Sequence, residues 1–185
     1  MRQRLPIVIA LVLAASACSS NTTAPVKVPS DRDKGQNRFP PCHPGCFPAG
    51  TAIDTPGGPK RIETIVGGDV VTLIDREGVS TNGTVNSTYQ TTNRLIEIRT
   101  DFGNVLTTVT QPFCLLQGGG FRPAGELIVG DRIWRWSEGK RCPARIEAIV
   151  ATERDAMVYN LVVGESAIFV AEGFLARGKP PLDME

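Results

Sequence analysis

The sequence repeats one pattern at a distance of 62 residues, and this repeat most limits the folds open to the chain. The shift superposes two Gly-Gly pairs, two basic residues, two Gly-Asp pairs and several aliphatic positions: Gly57-Gly58 on Gly119-Gly120, Lys60 on Arg122, Ile65-Val66 on Leu127-Ile128, Gly68-Asp69 on Gly130-Asp131, and Val71 on Ile133. Gly-Asp turns also recur by chance in β proteins, but a single register for all these positions favours duplication. The repeat predicts two related subdomains about a pseudo-twofold axis, with Cys46 near its counterpart Thr108.

The subdomains are predicted to be all-β. Short runs of alternating polar and apolar residues stand between glycine and proline turns, and helical periodicity is nearly absent. Asn82-Gly83 predicts a hairpin turn. The runs 158–163 and 167–170 predict a last hairpin around Gly164-Glu165. Asp69 and Asp131 each follow a glycine, which favours turn hydrogen bonds over paired acid–base chemistry.

Two further patterns are interpreted as structural. Trp134 and Trp136 alternate along one run and therefore face the same side. They predict a half-buried edge of the core rather than an exposed binding strip. Asn160 lies in a Val-Tyr-Asn-Leu run and is predicted to be structural as well.

The N-terminus resembles a bacterial lipoprotein signal. Arg2 and Arg4 precede an apolar run over residues 5–15, which is short for a membrane span. The run ends in Ala15-Ser16-Ala17-Cys18, which predicts cleavage before Cys18 and its lipidation. An ordinary signal peptide that leaves Cys18 unmodified is the alternative. Ser19 favours the outer membrane of a diderm bacterium, so the protein is expected to be exported and bound to a membrane through lipid.

Four segments follow from these features: a signal peptide (1–17), a lipidated flexible tether (18–45), a folded domain (46–178) and a tail (179–185). The tether holds too few large apolar residues to offset the entropy of ordering it. The domain of about 130–140 residues is large enough for one core. A net charge of +1 with mixed signs indicates no nucleic-acid partner.

Cys46 opens the folded part and is the best candidate nucleophile. In an exported protein, however, Cys42, Cys46, Cys114 and Cys142 are also candidates for disulfides, and four thiols allow three complete pairings. A disulfide at Cys46, with Cys42 or Cys114 as its partner, would remove the nucleophile. No metal site is predicted, because Cys42 and Cys46 lack a second close pair of ligands.

Three stretches resemble the Hint domains of hedgehog proteins, inteins and bacterial intein-like proteins. They are Cys46-Phe47-Pro48-Ala49-Gly50-Thr51, then Thr108-Val109-Thr110-Gln111-Pro112-Phe113 with Glu126-Leu127 and Gly130-Asp131, and finally Val158-Tyr159-Asn160-Leu161 with Phe169-Val170, Gly173 and Leu175. Their order and spacing fit over residues 46–178. The resemblance implies a compact, horseshoe-like β fold with pseudo-twofold symmetry.

The resemblance also implies autocatalytic chemistry that needs no cofactor. The Cys46 thiol would attack the carbonyl of Gly45 and convert the Gly45–Cys46 peptide bond into a thioester, an N-to-S acyl shift. Thr108 would hydrogen-bond the scissile amide, and residue 111 would protonate the leaving amine. At most this is a single-turnover autoproteolysis, and the sequence identifies neither the acyl acceptor nor a protein partner.

The chain departs from the family pattern at two places. Gln111 stands where the family has histidine, and a glutamine amide does not titrate. Arg177-Gly178 stands where inteins end in His-Asn, which argues against full protein splicing. The single histidine, His43, is expected to be an exposed loop residue more than a catalytic one. Two hypotheses therefore stay open: a lipid-anchored domain that cleaves itself at Gly45–Cys46, and a Hint fold without catalysis that serves as an exported binding or structural module.

Overall fold

The computed structural model describes residues 45–165 and 167–180. Thirteen strands lie in these ranges and belong to one antiparallel sheet. They are β1 (Phe47–Pro48), β2 (Ala52–Ile53), β3 (Lys60–Arg61), β4 (Val70–Ile74), β5 (Ser80–Thr84), β6 (Ser87–Thr100), β7 (Gly103–Thr107), β8 (Pro112–Leu115), β9 (Gly120–Pro123), β10 (Arg132–Ser137), β11 (Lys140–Val162), β12 (Ile168–Ala171) and β13 (Phe174–Arg177). Short 3-10 turns cover Ile62–Thr64 and Ala124–Glu126.

The principal strand order is β3-β2-β12-β13-β8-β10-β11-β6-β7. The long strands β6 and β11 pair along most of their length, and register shifts interrupt the ladder between Ile146 and Ala148 and between Ala151 and Asp155. Such bulges let a long ribbon bend and twist. The prediction of an all-β fold is therefore confirmed.

The predicted repeat is visible in the local structure. The two 3-10 turns are 62 residues apart, and Gly68 and Gly130 have left-handed φ angles of 93° and 98°. A conformation of this kind favours glycine. Asp69 Oδ2 accepts hydrogen bonds from the Val66 N–H (2.9 Å) and from Lys60 Nζ (2.8 Å).

The second copy reproduces this arrangement. Asp131 Oδ2 accepts hydrogen bonds from the Ile128 N–H (3.0 Å) and from Arg122 Nη1 (2.8 Å). Asp69 and Asp131 therefore make turn hydrogen bonds, as the sequence predicts, and each binds its own basic residue.

Two hairpin predictions are wrong. Asn82 and Gly83 lie within β5, opposite Thr72 and Val71 of β4. Gly83 serves close packing rather than a turn, because a Cβ at this position would stand 2.3 Å from Leu73 Cδ1. Residues 158–162 belong to the end of β11, which pairs with β6 and β1, whereas β12 forms its hairpin with β13.

The core lies beneath β1, β8 and β12. The ring of Phe47 meets those of Phe113 and Phe169 edge-on, each at 6.1 Å between centroids. All three phenylalanines are fully buried. Two of them stand close to a candidate site residue in sequence, because Phe47 follows Cys46 and Phe113 follows Gln111 by two positions. The aromatic core thus fixes the backbone on which the site is built.

Trp134 and Trp136 lie on β10, half-buried, and pack against a smaller cluster that contains Ile74, Val170 and Leu175. The predicted half-buried edge is confirmed. In the described ranges no helix is long and apolar enough to cross a membrane. The signal peptide, Cys18, most of the tether with Cys42 and His43, and the end of the tail lie outside the described residues.

Candidate functional site

Cys46 sits at the start of β1, where β1 joins the edge of β11. Phe47 pairs with Tyr159 and Pro48 with Val158. The Cys46 side chain is 2% exposed and packs with Leu95 and Val158. Burial raises the pKa of its thiol to about 12, although the positive charge of Lys179 acts in the opposite direction. The candidate nucleophile is therefore held as a neutral thiol near neutral pH.

Thr108 lies directly against Cys46, as the repeat predicts. The Cys46 N–H donates a hydrogen bond to Thr108 Oγ1 at 2.9 Å, and the Thr108 N–H donates to the Cys46 carbonyl at 3.1 Å. Thr107 Oγ1 donates to the same carbonyl at 2.9 Å. Both threonines are fully buried at the end of β7, where solvent does not compete for these bonds.

Asn160 contacts the other side of the Gly45–Cys46 peptide unit. Its Nδ2 donates a hydrogen bond to the Gly45 carbonyl oxygen, which is the carbonyl that a Cys46 thiol would attack. The Asn160 side chain is fully buried on β11. Sequence reasoning interpreted Asn160 as structural and missed this contact. The contact joins residues 115 positions apart, and no local pattern signals it.

Gln111 is fully buried behind the same peptide unit. Its Nε2 donates to the carbonyls of Pro112 and Arg177, each at 3.1 Å, and its Oε1 accepts a longer bond of 3.4 Å from Asn160. Gly45 packs on the Gln111 backbone so closely that a Cβ would stand 1.7 Å from Gln111 Cα. Gln111 thus supports Asn160 and the C-terminal strand, and it excludes side chains from position 45.

The other candidate cysteines lie apart from this site. Cys114 points toward Trp134 and Trp136 in the smaller cluster, and Cys142 stands on β11 opposite Arg135 of β10. Both carry free thiols, so the proposed Cys46–Cys114 bond is not formed. The pairings that involve Cys42 stay predictions. In residues 45–165 and 167–180, no three His, Cys, Asp or Glu side chains are placed to hold a metal ion.

Solved intein structures share this architecture. A crystal structure of the Ssp DnaB mini-intein variant M86 superposes with a TM-score of 0.69 at 17% sequence identity, over 76% of this chain and 98% of that one. The bacterial intein-like domain from Clostridium thermocellum gives 0.60 at 26% identity, over 72% and 97%. The TvoVMA intein gives 0.63 at 20% identity, over 72% and 96%.

The chain has the Hint-type fold of inteins. No protein-family profile matches the sequence, and no curated protein matches it either. The similarity is therefore one of three-dimensional structure. It confirms the fold that the three sequence stretches imply.

Within this Hint-type domain, the described site is a buried hydrogen-bonded group around one peptide bond. Side chains from the end of β7 and from β11 hold the two polar ends of the Gly45–Cys46 unit, and a thiol lies next to it. In the described ranges, no buried side-chain nitrogen or oxygen lacks a hydrogen-bond partner. An arrangement of this kind positions a carbonyl for attack and stabilises the oxyanion that the attack creates.

Proposed function

We propose that the protein cleaves its own Gly45–Cys46 peptide bond through an N-to-S acyl shift at Cys46. The observation that carries this proposal is that one buried peptide unit is bound at both polar ends, by Thr108 Oγ1 at its N–H and by Asn160 Nδ2 at its carbonyl. Both partners are side chains, whereas a β-sheet would bind these two groups with the backbone of a neighbouring strand. A side-chain donor aimed at the carbonyl oxygen is what an acyl-transfer site requires.

The proposed reaction proceeds in two steps. Cys46 Sγ adds to the Gly45 carbonyl carbon, and negative charge develops on the oxygen that Asn160 Nδ2 already contacts. The C–N bond then breaks, the thioester forms, and the thiol proton ends on the α-amine of Cys46. Thr108 holds that nitrogen throughout. Transfer of the acyl group from sulfur to water or to another nucleophile completes the cleavage.

Proton transfer is the step for which this site is least well equipped. Gln111 supplies an amide where a titrating group is expected, and loss of a positioned acid costs about 10²–10⁴ in rate. The Cys46 thiol is also mostly protonated, since its pKa is about 12. Both features predict a slow reaction. A slow reaction suffices for a cleavage that occurs once per molecule.

The proposed setting is a lipid-anchored protein exported to the outer membrane. Cys18 would carry the lipid and residues 18–45 would form the tether. Hydrolysis of the thioester at Gly45 would then release the domain from the membrane and leave a short lipopeptide behind. Labelling with radioactive palmitate in a diderm host tests this part, because a Cys18→Ala variant should lose the label.

Intact-mass analysis of the purified full chain tests the cleavage itself. The expected product is a polypeptide that begins at Cys46, and hydroxylamine should increase its yield because it cleaves thioesters. A Cys46→Ala variant should stay intact under the same conditions. If tryptic mapping of the wild-type chain after thiol and hydroxylamine finds only the uncut peptide 39–60, the proposal is wrong.

A second candidate function is a Hint fold without catalysis, acting as an exported binding or structural module. The buried, non-titrating Gln111 and the high pKa of Cys46 favour it. Non-reducing digestion separates the two. A stoichiometric Cys42–Cys46 disulfide in the exported protein would support the module, since a thiol in a disulfide cannot attack Gly45.

A further inference from the structure

A buried lysine lies at the C-terminal end of the domain. Lys179 is 3% exposed, and its Nζ stands 3.4 Å from the centroid of the Tyr89 ring. Lysine is among the residues that are least often fully buried, because desolvating its charge is costly. The cation–π contact offsets part of that cost. Such a position indicates a specific role for this amine.

The backbone of Lys179 shares one edge of β11 with the scissile peptide. The other edge of β11 at this point is occupied by β6. β1 approaches the shared edge from one side, with Phe47 opposite Tyr159. Lys179 approaches from the other side, where its N–H donates to the Leu161 carbonyl at 2.9 Å and it bridges to Val162. The two ends of the domain therefore meet beside Asn160.

The side chains bring the amine to the same face as the scissile carbonyl. Tyr89 on β6 lies directly opposite Asn160 on β11, and side chains of such a pair stand on one face about 5 Å apart. Asn160 Nδ2 donates a hydrogen bond to the Gly45 carbonyl oxygen, and Lys179 Nζ lies over the Tyr89 ring. Tyr89 also packs against the cluster that contains Cys46. The paired residues Tyr89 and Asn160 thus place the Lys179 amine close to the Gly45 carbonyl.

The charge of Lys179 acts on the Cys46 thiol. It lowers the pKa of that thiol against the larger effect of burial, so the ammonium group lies within electrostatic range of Sγ. The flexible four-carbon stem of lysine lets Nζ move from the Tyr89 ring toward Cys46 Sγ.

We propose that Lys179 Nζ is the acyl acceptor, so that the thioester formed at Cys46 is resolved into an isopeptide bond between Gly45 and Lys179. This inference rests on the proposed N-to-S acyl shift and names the nucleophile that completes it. Lysine amines are established nucleophiles toward acyl groups once they are deprotonated. A nucleophile bound next to the thioester reacts ahead of water because its orientation is already fixed.

The steps balance without an external reactant. The first step breaks the Gly45–Cys46 C–N bond, forms the C–S bond and leaves a free α-amine on Cys46. This amine takes a proton from the Lys179 ammonium, which makes Nζ nucleophilic and prevents the α-amine from attacking the thioester in return. Nζ then bonds to the Gly45 carbonyl carbon, the C–S bond breaks, and the proton that Nζ loses restores the thiol. The net change is an isomerisation that transfers residues up to 45 from the backbone of Cys46 to the side chain of Lys179.

Peptide mapping of the full 185-residue chain tests the proposal. Trypsin cuts after Arg38 and Arg177 and leaves residues 39–60 as one peptide in the unreacted chain. The isopeptide should appear as a branched peptide that joins residues 39–45, through Gly45, to Lys179 within residues 178–185. It should be accompanied by peptide 46–60 with a free amine on Cys46. The intact mass should equal that of the unreacted chain.

The outcomes distinguish this inference from the proposed function. Peptide 46–60 together with a free Gly45 carboxylate and an unmodified Lys179 would keep the cleavage and overturn the isopeptide. Finding only the uncut peptide 39–60 would overturn both. Lys179→Arg keeps the charge but should abolish the branched peptide while peptide 46–60 still forms. The matched substitution Lys140→Arg, at an exposed lysine, should leave the branched peptide unchanged.

Discussion

Cys46 and Thr108 are hydrogen-bonded to each other twice. The Cys46 N–H donates to Thr108 Oγ1, and the Thr108 N–H donates to the Cys46 carbonyl. The two residues are also counterparts in the internal repeat, separated by 62 positions. The candidate site therefore lies where the two copies of the duplicated unit meet. A duplication thus places a nucleophile from one copy against a hydroxyl from the other.

Thr108→Ala tests the hydrogen bond between Thr108 Oγ1 and the scissile amide N–H of Cys46. The substitution leaves the buried Cys46 N–H without an acceptor, which costs about 1–3 kcal/mol. We expect formation of the fragment that begins at Cys46 to slow by at least tenfold and the melting temperature to fall. Thr108→Ser keeps the hydroxyl and should cleave at nearly the wild-type rate. Equal rates for the alanine and serine variants would show that the Oγ1 contact has no part in cleavage.

Asn160→Leu tests the contact at the scissile carbonyl. Removing one donor from an oxyanion site typically lowers the rate by about 10²–10³. The same decrease in cleavage rate is expected for Asn160→Leu, measured as the yield over time of the fragment that begins at Cys46. The control is Asn86→Leu, since the Asn86 side chain accepts a hydrogen bond from the Gly164 N–H away from Gly45. A decrease in the control as large as in Asn160→Leu would point to a general loss of folding.

Gly45→Ala tests the fit of the scissile residue. An added Cβ would overlap the Gln111 backbone, with 1.7 Å to its Cα. The peptide unit must then shift away from Asn160 or Thr108, and cleavage should fall by more than tenfold while the rest of the domain stays folded. Gly50→Ala is not a suitable control because Gly50 has a left-handed φ of 91°. Gly57→Ala would place its Cβ at ordinary van der Waals distance, 3.8 Å from Thr55 Oγ1, and should have no effect on cleavage.

Gln111→His tests whether the missing proton carrier limits the rate. An imidazole has an ordinary pKa near neutral pH, and a positioned acid or base contributes about 10²–10⁴ in rate. We expect faster cleavage, followed by intact mass after expression. Gln111→Met, which fills a similar volume but does not titrate, should not accelerate the reaction. An accelerated methionine variant would mean that loss of the Gln111 hydrogen bonds, and not proton transfer, sets the rate.

The repeat made the duplicated turns of the fold predictable from the sequence. Its Gly-Asp turns, basic partners and spacing are local features, and the structure reproduces them in both copies, from Gly68 and Asp69 to Gly130 and Asp131. The position of Thr108 against Cys46 followed from the same shift. The internal repeat thus predicted the long-range contact between Cys46 and Thr108, which no local sequence motif predicts.

Features decided by packing between distant segments were not predictable. Asn82-Gly83 carries a strong local turn signal, yet Gly83 pairs with Val71 within β5, where a Cβ would stand 2.3 Å from Leu73 Cδ1. Asn160 reaches Gly45 because β1 adds to the edge of β11, a pairing without a signature in either segment.

The pH dependence of cleavage follows from the pKa of Cys46. The thiolate is the nucleophile, and a thiol with a pKa of about 12 is ionised in only a small fraction at pH 7. The rate should therefore rise about tenfold per pH unit between pH 6 and 9 without a plateau, as measured by fragment yield over time. Because the folded-state pKa of Cys46 lies above its ordinary value of 9.0, the folded state holds the thiol proton more tightly than the unfolded state. That contribution to stability is complete below pH 9 and is lost as the pH rises toward about 12, so measurements up to pH 9 separate ionisation from unfolding. A plateau near pH 7 would show that another group with a lower pKa controls the reaction.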